Sequence, residues 1–73
     1  MVDKRLLDGE IAKAGISRAE LARRIGITPK TFYDKEKKGV FGSDEILKIV
    51  SVIQIKEPVP IFFPEFVTSK EPN

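Results

Sequence analysis

Few residues in this chain are of types that could do covalent or metal chemistry. It has no histidine and no cysteine. The usual general base, the commonest metal ligand, and every thiolate nucleophile, disulfide and zinc–thiolate cluster are therefore missing. The serines Ser17, Ser43, Ser51 and Ser69 have no imidazole to activate them. Asp3, Asp8 and Glu10 are the remaining candidates for a catalytic carboxylate pair. They share a segment with Lys4, Arg5 and Lys13, which reads as a solvated face of mixed charge rather than an acid–base site. The expectation is a protein that is not an enzyme and needs no cofactor, metal or small molecule.

What remains is recognition, and the charge distribution says where. Residues 1–16 are neutral in sum, residues 17–38 carry seven basic and three acidic side chains, and residues 39–73 have a net charge of −2. A basic middle segment suits a polyanion, although an ordinary solvated surface can have the same composition.

The elements that must position this segment follow from capping signals and apolar spacing. Val2, Leu6, Leu7, Ile11 and Ala14 predict a first helix over about 3–14, ended by Gly15. Ser17-Arg18-Ala19-Glu20 has the form of a capping box, in which Ser17 accepts from the Glu20 amide and Glu20 reaches back to the Ser17 amide. Leu21, Ala22 and Ile25 make the apolar stripe of that second helix, and Gly26 stops it. Thr28-Pro29 is an N-cap followed by proline at the first helical position, which predicts a third helix from Pro29 to about Glu36 or Lys37. That helix is polar, with Phe32 as its only strong anchor.

After the loop 38–43, where Val40 and Phe41 are expected to tuck into the core, Ser43 is read as the cap of a fourth helix. Its apolar positions are Ile46, Leu47, Ile49, Val50 and Ile53. The proline-flanked run Val59–Val67 excludes a central strand and a long helix, and predicts a short helical turn or an arm across the bundle. The predicted core is Leu7, Ile11, Leu21, Ala22, Ile25, Ile27, Phe32, Ile46, Leu47, Ile49, Val50 and Ile53. At 73 residues the chain is one small domain, spanning 1–67 with a frayed tail at 68–73. A domain of this size buries roughly 60% of its extended surface, leaving little for a deep pocket.

Residues 17–37 combine two short helices, a tight turn and a polar second helix. Ala22 sits where the helices must approach closely, Gly26 lies in the turn, and Phe32 pins the second helix to the core. This arrangement resembles the Cro and repressor family of phage and bacterial regulators, whose fold is the lambda-repressor-like one. The resemblance spans roughly residues 3–55. It implies an all-α bundle of four to five helices containing a helix-turn-helix, with a Pro/Phe-rich C-terminal arm.

In that family the second helix of the motif lies in the DNA major groove. Carried over residue by residue, the resemblance presents Thr28, Pro29, Lys30, Thr31, Tyr33, Asp34 and Lys37. Lys30 would donate to guanine, and Tyr33 would touch a phosphate or a thymine methyl. Ser17 and Arg18 would meet a backbone phosphate, with Lys37 and Lys38 closing the contact from the loop side. Three positions depart from the family pattern. Pro29 stands where many relatives carry glutamine, Asp34 aims an anion toward the phosphates, and Lys35 stands where an apolar core residue is usual.

The Pro-Ile-Phe-Phe arm is also similar to that of small regulators of temperate phages of Gram-positive bacteria, including the modulator-of-repression type. The resemblance thus implies a transcriptional regulator in a genetic switch, bound to operator DNA, with a homodimer as one arrangement compatible with it. The alternative is an antirepressor that binds a partner repressor's DNA-binding domain through the same helix. Apolar runs such as Ile49–Ile53 are too short to span a bilayer and no signal peptide is read at the start. The expected location is therefore the cytoplasm of a bacterial host cell.

Overall fold

Side-chain caps define where most of the helices begin. The Asp3 carboxylate accepts from the Leu6 amide, Ser17 Oγ from the Glu20 amide, and Thr28 Oγ1 from the Thr31 amide. Each satisfies a donor that the first helical turn would otherwise leave unpaired. The computed structural model describes residues 1–66 and is all-helical over them. Its elements are α1 (Lys4–Ala14), α2 (Arg18–Arg24), α3 (Pro29–Lys38), α4 (Ser43–Ile53) and α5 (Val59–Phe62), followed by a 3-10 turn, Pro64–Phe66. The expected domain end at residue 67 and frayed tail at 68–73 lie outside the described residues.

The core is built from one side of each helix. Leu7 and Ile11 of α1, Leu21, Ala22 and Ile25 around α2, Phe32 of α3, and Ile49 and Ile53 of α4 are buried together with Phe41. Ile27, Ile46 and Val50 pack against this cluster while partly exposed. The tail completes it, because Ile55, Ile61 and Phe62 are buried as well. Ile55 turns inward because Gln54 takes a left-handed conformation (φ 53°), which lets the Ile55 amide donate to the Val50 carbonyl at 3.1 Å. Val2 is also buried, held as its amide donates to the Gly39 carbonyl (2.9 Å), while the Asp3 amide donates to the Ile61 carbonyl (2.7 Å). The start of the chain thus ties the end of α3 to α5.

Four local expectations are corrected. Leu47 is 70% exposed, because a helix of this width buries the stripe Ile46–Ile49–Val50–Ile53 and leaves the residue between on the outer face. Val40 is 64% exposed: Phe41 alone turns inward, its ring tilted against Phe32 with centroids 5.3 Å apart, and that one side chain fills the place beside Phe32. Ser43 is the first residue of α4 rather than its cap. Gly42 occupies the cap position, and its amide donates to Glu45 Oε1 at 2.8 Å. At α2 only half of the expected capping box forms: Glu20 is taken by Arg23 (3.0 Å) and Arg24 (2.9 Å), since two guanidiniums one turn away outcompete one amide.

Candidate functional site

The connection between α2 and α3 sets the presentation of α3. Gly26 holds φ +89°, a conformation that costs glycine nothing, and the Ile27 amide donates back to the Ala22 carbonyl at 3.0 Å. Ala22 is fully buried, so the two helices meet over a methyl group. Thr28 then caps α3, its hydroxyl also donating to Thr31 Oγ1 at 2.9 Å. Gly39 ends α3 at φ +75°, directly beneath the Met1 side chain, where any Cβ would collide. The helix is therefore fixed at both ends by local geometry.

Along α3 the faces separate. Lys30, Tyr33, Asp34 and Lys37 recur at helical spacing and are all exposed, with Lys38 exposed at the helix end. Pro29 and Thr31 are half-buried at the first turn, while Ser17 and Thr28 are exposed with their hydroxyls engaged in capping. Of the residues singled out from sequence, Lys30, Tyr33, Asp34 and Lys37 thus share one outward surface. Lys30 Nζ lies 3.3 Å from Asp34 Oδ2, so two opposite charges of that surface are paired with each other.

Arg18 points elsewhere. Its Nε donates to Asp8 Oδ1 at 3.1 Å and lies 3.2 Å from Glu36 Oε1, and its Nη2 lies 2.9 Å from Asp8 Oδ2. The partly exposed guanidinium joins α1, α2 and α3. Arg23 and Arg24 pair with Glu20, and Lys35 donates to both oxygens of Glu45 at 3.0 and 2.8 Å. Much of the positive charge in residues 17–38 is thereby matched by carboxylates, and Lys37 and Lys38 are its cations without an ion pair among the described residues.

The meeting of Glu36 with Asp8 was not singled out from sequence. Glu36 is only 3% exposed, and its Oε2 has no hydrogen-bond partner. Burial and the adjacent Asp8 carboxylate push its pKa up to about 7, against the pull of Arg18 and Lys4. Burial also works against ionisation of Asp8, but hydrogen bonds with Glu36, Arg18 and Lys4 (2.9 Å) outweigh it and hold the carboxyl well below the usual range. The available signal was spacing: Glu36 follows the buried Phe32 by four residues and so must face the same way.

A shallow open groove of about 320 Å³ lies beside α3, lined by Ile11, Ala12, Ile16 and Tyr33 with Asp8, Ser17 and Arg18 around it. Among the described residues no three acidic side chains gather as a metal-ion cage would require, and no helix is long and apolar enough to cross a membrane. Comparison of the chain with protein-family models, with curated proteins and with solved structures finds no match.

Proposed function

We propose that α2 and α3 form a helix-turn-helix and that the chain is a transcriptional regulator of the phage Cro/repressor type, with α3 as its recognition helix for operator DNA. One observation carries this reading. A ten-residue polar helix is locked from behind by a fully buried Phe32 and by caps at both ends, while Lys30, Tyr33, Asp34 and Lys37 face solvent together. A short polar helix contributes little to folding by its own amphipathicity, so a fold that holds one rigidly outward is organised for presentation. The dimensions suit a major groove, and a rigid support is what base reading demands. On this reading the protein performs no catalysis and works in the cytoplasm of the bacterial host.

A second reading has its own support. An operator-bound helix would be expected to keep its cations available for phosphate, yet Lys30 is paired with Asp34 and Arg18 is engaged with Asp8 and Glu36. An amphiphilic face with one tyrosine and opposed charges suits a protein surface, where aromatic anchors and charge complementarity set affinity and register. On that reading α3 binds the DNA-reading surface of a partner repressor and acts as an antirepressor.

Titration of labelled operator-region DNA at two salt concentrations separates the two. A DNA reader with two to four phosphate contacts gives a slope of log K against log salt of roughly −2 to −4, at about −0.9 per contact, and Lys30→Ala weakens it. An antirepressor leaves bare DNA alone, releases repressor from it, and loses that effect in Asp34→Lys.

A further inference from the structure

The cluster beneath α3 has more acceptors than donors. Asp8 receives two nitrogens of Arg18 and the ammonium of Lys4. Glu36 receives only a share of the same Arg18 Nε, at 3.2 Å, and its second oxygen is buried and unpartnered. A carboxylate in that position would carry a charge met only by that shared nitrogen, with its second oxygen in a place water does not reach. A carboxylic acid there has a donor to offer, and its neighbour is the Asp8 carboxylate, which meets the same Arg18 Nε at 3.1 Å. The asymmetry thus assigns the proton to Glu36 and the negative charge to Asp8.

We propose that Asp8, Arg18 and Glu36 form a proton-operated clamp at the junction of α1, α2 and α3, closed when one proton is held between the two carboxylates and loosened when that proton leaves. The charged groups acting on Glu36 are Lys4 and Asp8 from α1 and Arg18 from α2. Tyr33, on α3 itself, acts on Arg18. Toward α4, the ionic contact of α3 is the separate pair Lys35–Glu45. Burial and Asp8 move the Glu36 titration to about 7, which puts the loosening near neutral pH. The proposal concerns the fold and is independent of what α3 binds.

The direction follows from linkage. The folded-state value of Glu36 is raised above its ordinary 4.5, so its contribution to stability is fully present below 4.5 and is lost as pH rises through about 7. Asp8 is lowered from 3.8, so its contribution is present above 3.8 and lost as pH falls below that. The clamp's own contribution should therefore be greatest between these two ranges, near pH 4–5.

The test is denaturant unfolding of the full chain from pH 4.5 to 8.5, with carboxyl-carbon NMR titration of Glu36 in the same protein. The expected results are a fall in the folding equilibrium constant of roughly ten- to a hundredfold over that range and a Glu36 titration near neutrality. Glu36→Gln should flatten the dependence. Asp8→Asn should return the Glu36 titration toward the ordinary carboxylate range, an effect that a merely space-filling Asp8 would not produce. Should Glu36→Gln fail to fold, the titrations in the unmodified chain and in Asp8→Asn decide the matter. Ordinary Glu36 titration in the unmodified chain, an unchanged one in Asp8→Asn, or an undiminished pH dependence in Glu36→Gln would overturn the proposal.

Discussion

The two faces of α3 are built on opposite principles. Inward, Phe32 is fully buried, Glu36 nearly so, and Lys35 is half-buried in a two-oxygen contact with Glu45. Outward, Lys30, Tyr33, Asp34 and Lys37 lie in solvent, and the Lys30–Asp34 pair is exposed on both sides. Ion pairs occur on both faces and do different things. An exposed pair contributes little to stability because water and salt screen it. On the inner face each charge depends on its partners, and the count of partners decides the outcome. Glu45 is desolvated, yet donors from Lys35 and the Gly42 amide hold its carboxyl below the usual range. Glu36, with a share of one guanidinium nitrogen and an acid for a neighbour, goes the other way.

That contrast can be broken by substitution, beginning with the largest effect. Phe32→Ala should cost about 3–5 kcal/mol, the usual range for emptying an aromatic site in a core. In a domain this small the expected circular-dichroism result is a largely unfolded chain. Arg18→Met keeps the side-chain length and removes the clamp's only guanidinium. It should cost about 2 kcal/mol at pH 8, less than a fully buried pair because Arg18 is partly exposed, and clearly less at pH 5, where Glu36 is neutral. Equal losses at the two pH values would mean that Arg18 acts by packing alone.

Glu45→Gln should cost about 1 kcal/mol at neutral pH. The pKa of Glu45 is lowered on folding, so its contribution is present above 4.5 and lost as pH falls below it, the reverse of Glu36. Acid titrations of the variant and the parent should therefore converge. At the small end, Lys30→Ala, Asp34→Ala and Leu47→Lys should each change stability by no more than about 0.5 kcal/mol. The first two should alter binding through α3, whereas Leu47→Lys should not; a large loss of stability in any of them would place that residue in packing rather than on an outer face.

The local grammar of the chain was readable without the fold. Ser17, Thr28-Pro29, Gly15 and Gly26 mark helix ends because the requirements they meet (an orphan amide, a fixed φ, a left-handed turn) are settled within four or five residues. Apolar spacing likewise identified most of the buried positions, since a helix face is a property of its own period. The outward group Lys30, Tyr33, Asp34 and Lys37 came instead from the family resemblance, which presented Pro29 and Thr31 with it, and these two are half-buried. Leu47 and Val40 went astray because being apolar does not say which side of an element the neighbours will cover.

Partnership between elements was decided only by tertiary structure. Arg18 reads in sequence as a phosphate-facing residue at a helix start. In the fold it meets Asp8, ten residues earlier, and Glu36, eighteen residues later. The same holds for Lys35, whose ammonium finds Glu45 across the loop to α4. A charge carries no periodic requirement of its own. Its pairing and protonation depend on which donors and acceptors the packed helices bring within about 3 Å and on how much water they exclude.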